Sequence, residues 1–167
     1  MIRSWIVAVF AAWLARPDAA LAQSNIAALL TGETGMSIEE VSAIFRDAGL
    51  SANVSATPQG APVIDSQING YKFSLFAYEC DRARRCAEFM FQSVFQLRTS
   101  IPVARMNEFN AGAIAGRAYI NDGNAYIEHF FSVSNASDRA IVRQNIATWR
   151  EVLESFVNHI GLQKAAS

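Results

Sequence analysis

Histidine and cysteine are scarce, with two of each among 167 residues. Neither His129 nor His159 sits in a nucleophile or metal motif, and no G-x-S-x-G, H-E-x-x-H or G-x-G-x-x-G segment occurs. The signatures of α/β-hydrolases, zincins and dinucleotide-binding domains are therefore missing. A basic excess is missing too: 14 Lys and Arg stand against 15 Asp and Glu, whereas a nucleic-acid surface normally needs a strong positive balance. Cys80 and Cys86 have five residues between them, which is not the C-x-x-C of a redox pair. Two thiols without a neighbouring His set do not make a zinc site. The sequence points to no catalytic residue, no cofactor, no metal and no nucleic-acid partner.

Long apolar runs are also lacking. The longest, Trp5–Ala15, is about half of the roughly 20 residues a spanning helix requires. It follows Arg3 and precedes Arg16-Pro17-Asp18 and the small-residue string Ala19–Ala22. A basic start, a short apolar stretch and an A-x-A-like end read as a signal peptide over residues 1–22, cleaved between Ala22 and Gln23. Cleavage would leave 145 residues without a stable membrane anchor. Arg3, Arg16 and Asp18 would leave with the leader, so 12 basic and 14 acidic groups remain, a net charge of −2. That length suits one domain. The expected location is the bacterial periplasm, where Cys80 and Cys86 would be joined as a disulfide.

Residues 23–35 read as a leader with a small apolar patch at Ile26–Leu30, ahead of a domain over 36–161 and a tail over 162–167. Ser37-Ile38-Glu39-Glu40 is a capping box. Ile38, Val41, Ile44, Phe45 and Ala48 follow at helical spacing, and Gly49 stops that helix. Ser51–Thr57 could form a short strand. Val63–Ile68 and Tyr71 to about Cys80 form a hairpin around Asn69-Gly70, a type I′ signal. Cys86–Leu97 is the next strand. Pro102, Val103, Met106 and Phe109 carry a short second helix ending at Gly112. Ile114–Asn121 and Ala125–Val133 form a second hairpin around Asp122-Gly123. Ser137 caps a long third helix to about Ile160, striped by Val142, Ile146, Trp149, Leu153 and Phe156. The class is α+β, order α-β-β-β-α-β-β-α, with one antiparallel sheet of about five strands covered by the first and third helices.

Alternation in Cys86–Leu97 places Ala87, Phe89, Phe91, Phe95 and Leu97 on one side. Setting Cys80 opposite Cys86 also pairs Ala77 with Phe89, Leu75 with Phe91 and Tyr71 with Phe95, all on that apolar side, with both cysteines on the other. A one-residue slip would destroy the agreement. In the second hairpin the register pairs Arg117 with Glu128 and Tyr119 with Tyr126.

Three features stand out as candidate sites. His129 faces inward across from Gly116, as a hydrogen-bonded core residue or as the centre of a ligand or enzyme pocket. Asp81–Arg85 carries Arg82, Arg84 and Arg85 at a hairpin tip, as a solvated turn or an anchor for an acidic partner. The sheet's other face carries Val63, Phe76, Tyr78, Met90, Val94, Tyr119, Tyr126 and Phe130, too apolar for an open face. Either the second helix or the leader covers it, or two copies meet across it as a homodimer, or it receives a partner or ligand.

Met36-Ser37-Ile38-Glu39-Glu40-Val41 with Gly49-Leu50, the Asn69–Phe73 hairpin and the Cys80/Cys86 region together resemble the YbjN domain family. So do Met106–Asn110 followed by Gly116–Tyr119, and Asn145, Trp149-Arg150 and Phe156 near the end. The resemblance spans about residues 36–160. It implies an architecture similar to type III secretion chaperones and a role as a sensory-transduction regulator that binds a protein partner, with no catalytic residues to carry over. Those chaperones act in the cytoplasm, so an export signal argues against a secretion-chaperone role. The expected function is an exported, non-enzymatic, protein-binding domain; the alternative is a small periplasmic ligand-binding protein or enzyme with a pocket near His129.

Overall fold

The computed structural model describes residues 34–97 and 99–162. The signal peptide and cleavage point expected from the sequence, and most of the expected leader and tail, lie outside the described residues. Seven strands form one antiparallel sheet: β1 (Met36–Ser37), β2 (Asn53–Ala56), β3 (Pro62–Ile68), β4 (Tyr71–Cys80), β5 (Arg85–Gln96), β6 (Arg117–Asn121) and β7 (Asn124–Ser132). Their order is β2-β3-β4-β5-β7-β6, with β1 attached to the start of β5. Helices α1 (Ile38–Asp47), α2 (Val103–Gly112) and α3 (Arg139–His159) are the α-helices among the described residues. The α+β class and element order are as expected. The two added strands are the short β2, within Ser51–Thr57, and the two-residue β1.

Local chemistry explains most element ends. Ser37 and Glu40 close the capping box on α1, at 3.2 and 2.8 Å. Gly49 and Gly161 follow α1 and α3 with φ of 75° and 71°, the left-handed conformation that ends a helix without a Cβ clash. Asn69-Gly70 and Asp122-Gly123 have positive φ at both positions, as type I′ turns require.

The register of β4 on β5 follows the disulfide, with Cys80 opposite Cys86, Ala77 opposite Phe89 and Leu75 opposite Phe91. The ladder ends before Tyr71, but its ring still meets Phe95 at 6.1 Å.

The inner face carries the core. Phe91 stacks on Trp149 of α3 at 5.3 Å and 9°, and Phe45 of α1, Phe73 and Phe131 surround it. Each buried aromatic contributes roughly 1.5–3 kcal/mol relative to exposure, so this cluster anchors both helices to the sheet.

Four local expectations are corrected. Cys86, expected on the outer side, is fully buried within the apolar cluster, because β1 closes alongside and sets Met36 opposite it. The strand expected from Ile114 begins at Arg117. Ile114 is fully exposed, and Gly116 turns with φ 88° so close to α3 that a Cβ would lie 2.7 Å from Val152 Cγ1. Ser137 does not cap the long helix. Asn135 and Asp138 instead form a capping box on a 3-10 turn, Ala136–Asp138, and Ser137 donates its hydroxyl to Asn135.

The fourth concerns the second helix, which does not cover the outer face. Phe109 packs edge-on against Phe156 at 5.2 Å. Arg105 donates to the carbonyl of His159, whose ring Nε2 meets the Arg105 carbonyl at 2.7 Å. Asn110 donates to the Ala118 carbonyl and accepts from its N–H. The helix therefore sits beside α3 and closes the free edge of β6.

Candidate functional site

The registers assemble the outer face into rows. Ser55, Val63, Phe76, Met90 and Phe130 are consecutive cross-strand partners over β2, β3, β4, β5 and β7. Val63 is buried by its neighbours, Phe76 and Met90 are half-buried, and Phe130 is 54% exposed. On the disulfide side of this row lies Tyr78, 40% exposed, opposite Glu88. On the far side runs a polar row of Asn53, Asp65, Ser74, Gln92, Glu128 and Arg117, one residue from each of the six main strands. Beyond it Val94, Tyr126 and Tyr119 form a second apolar row.

Glu128 organises the polar row. Paired only with Arg117 in the sequence register, it is 6% exposed and accepts three side-chain hydrogen bonds. Gln92 Nε2 donates at 2.8 Å, the Tyr119 hydroxyl at 2.6 Å and Arg117 Nη2 at 2.5 Å. Burial pushes this carboxyl up, but the hydrogen bonds from Tyr119, Arg117 and Gln92, with the guanidinium charge, outweigh it and hold the group below its ordinary value. Tyr119 is pushed up to about 12 by burial and by its bond to the carboxylate. Its ring stacks on Tyr126 at 4.9 Å and lies under the Arg117 guanidinium. The cluster locks β6 to β7 and β5, so the flanking aromatic residues are presented on a rigid support. The Arg117–Glu128 and Tyr119–Tyr126 pairs are visible in the sequence register. The Gln92 contact is not, because it needs β7 to align beside β5.

At the opposite end, Asp65 accepts from Ser74 at 2.6 Å and Ser55 at 3.1 Å. A groove of about 670 Å³ lies here, lined by Asn53, Asp65, Lys72, Ser74, Gln92 and Val94 among others. A second cavity, about 450 Å³, is formed by Tyr71 and the Asn69-Gly70 turn against Arg150, Leu153 and Glu154 of α3.

His129 lines neither cavity. Its ring stacks on Phe91 at 6.4 Å, and Nε2 meets Asn145 Oδ1 at 2.8 Å, a hydrogen-bonded position between sheet and α3. Among the described residues no three His, Cys, Asp or Glu side chains come together as a metal site would need. No helix among them is long and apolar enough to cross a membrane.

The three arginines of the hairpin tip separate. Arg82 and Arg84 are exposed. Arg85, expected with them, instead turns back to Glu40 at 3.2 Å and donates to the Gly35 carbonyl at 2.9 Å. It fastens the hairpin to the start of α1, so only Arg82 and Arg84 project from the tip.

Residues 37–162 match the YbjN family, described as a putative bacterial sensory transduction regulator. No curated protein and no solved structure matches the chain significantly.

Proposed function

The chain belongs to the YbjN family, and from that premise we propose that it is an exported, non-enzymatic regulatory or chaperone-like domain that binds a protein partner through the outer face of its sheet. The family description supports a regulatory or protein-binding role. The observation that carries the site is the row Val63, Phe76, Met90 and Phe130, apolar over four strands and crossed by no helix among the described residues. The row is half-buried at Phe76 and Met90 and exposed at Phe130, and a contiguous apolar patch with a polar border is the usual character of a recognition surface. Tyr78, Tyr119 and Tyr126 add rigid aromatic groups with polar tips, a residue type enriched where partners dock. Arg82 and Arg84 lie at the hairpin tip, beyond Tyr78, where they suit an acidic part of the same partner.

Export to the periplasm is part of this reading. It rests on the apolar run, the small-residue string before Gln23 and the bridged Cys80–Cys86 pair. Intact mass of the native protein is expected to give a chain starting at Gln23 with no titratable thiol. A chain starting at Met1 with two free thiols overturns export.

The partner site is tested with a photo-cross-linker at position 130 in envelope extract. One defined adduct is expected, lost in Phe76→Ser/Met90→Ser and kept in His129→Leu. An adduct indifferent to the serine pair would move the site elsewhere. The small-ligand reading has the polar groove of about 670 Å³ on its side, but that groove does not involve His129.

A further inference from the structure

The outer face has a candidate occupant within the same chain. We propose that the leader, residues 23–33, docks its Ile26, Leu29 and Leu30 side chains on the Phe76, Met90 and Phe130 row and holds that surface until a partner displaces it. This regulation rests on the outer face being the partner surface.

The point where the chain enters the fold carries the inference. Gly35 donates its N–H to the Ser134 carbonyl at 2.8 Å and has φ 73°. A Cβ there would lie 2.5 Å from the Cys86 carbonyl oxygen, so only glycine fits this close approach. Beyond it β1 cannot be prolonged backwards along β5, because β7 already occupies that place with Ser132 opposite Glu88. The preceding chain must leave the plane of the sheet at this point. On the inner side Met36, Phe89 and Phe131 are closed into the core. On the outer side the first apolar row is near: Met90 is three residues along β5 from Ala87, roughly 10 Å at a strand's rise.

Length and pattern agree with that placement. The four residues Thr31–Thr34 separate Leu30 from Gly35 and can span about 13 Å when extended, enough to set Leu30 beside Met90. Ile26, Leu29 and Leu30 stand at i, i+3 and i+4, the spacing that puts three side chains on one side of a helical turn. Glu33 is the only charged residue within 23–33, which suits a row whose nearest buried carboxylate, Glu128, is already paired. A tethered segment also meets the face at millimolar effective concentration, well above what a second copy or a free partner reaches unaided.

The test uses protein expressed with its whole sequence and purified as the cell processes it. Among Met36, Met90 and Met106, only Met90 is partly exposed, so its ε-methyl NMR resonance reports the row while Met106 reports folding. Ile26→Ser/Leu29→Ser/Leu30→Ser is expected to shift Met90, leave Met106 in place, raise binding of an apolar dye several-fold and strengthen partner capture about tenfold. A photo-cross-linker at Leu29 in the otherwise unchanged chain is expected to join the same chain at β5 or β7, which keeps the test valid if the triple variant misfolds. An unmoved Met90, or cross-links only between chains, overturns the proposal. If Met90 moves but partner capture ignores Phe130, leader docking stands and the partner assignment falls. If Met90 is unmoved while Phe130→Ser abolishes capture, the reverse holds.

Discussion

The two faces of one sheet carry comparable aromatic side chains and treat them in opposite ways. Inside, Phe73, Phe89, Phe91 and Phe131 are each no more than 6% exposed beneath α1 and α3, whereas outside Phe130, Val94 and Tyr78 are 54%, 46% and 40% exposed. Strand alternation assigns each residue to a face, but it does not decide whether that face is covered. Covering comes from the helix stripes, and the three α-helices among the described residues lie on the inner side or at its edge. The inner aromatics are thus a source of stability, and the outer ones are surface held in place by a polar row.

The sharpest way to break this comparison is to truncate one ring from each face. Phe91→Ala removes the centre of the stack with Trp149 and is expected to cost about 3–5 kcal/mol in chemical denaturation. A loss below about 1 kcal/mol would mean that the inner cluster does not organise the core. Next in size is the bridge. Cys80→Ser/Cys86→Ser releases a loop of about seven residues and is expected to cost roughly 2–2.5 kcal/mol in the chain-entropy model, read as a lower denaturation midpoint.

The polar row comes third. Glu128→Gln weakens three hydrogen bonds and should cost about 1 kcal/mol at neutral pH. Glu128 has a folded value below its ordinary 4.5, so its contribution is present above that value and is lost as pH falls through the folded one. The gap between wild type and variant should close in acid. At the other extreme Tyr119, raised to about 12, favours its protonated form when folded. Its contribution is present below about 10 and disappears as pH rises toward 12, so ultraviolet titration should find one phenol ionising late. Smallest of all, Phe130→Ala should change stability by less than about 0.5 kcal/mol. A cost near that of Phe91→Ala would show the outer row to be covered core.

Much of this was legible before any coordinates. Alternation and the Cys80–Cys86 constraint set the register of β4 on β5, and the Asn69-Gly70 and Asp122-Gly123 turns set the two hairpins. Capping by Ser37 and Glu40 was equally local. The failures share a cause. Arg85 looks like its neighbours Arg82 and Arg84 until Glu40, 45 positions earlier, is brought beside it. Glu128 shows only its Arg117 pairing until Gln92 arrives on β5. The second helix had no marker for its docking side, since the Asn110 side chain meets only the backbone of Ala118, which any residue there would offer.

The amino-acid order alone thus determined the α+β class, the hairpin registers, which side chains share a face and the helix ends, because these depend on interactions a few residues apart or on a period of two. Only tertiary structure decided which face the helices leave open, where the Arg85 side chain is spent and how Glu128 is satisfied. Those outcomes depend on the docking of distant elements, and their free energy resides in contacts that no local pattern encodes.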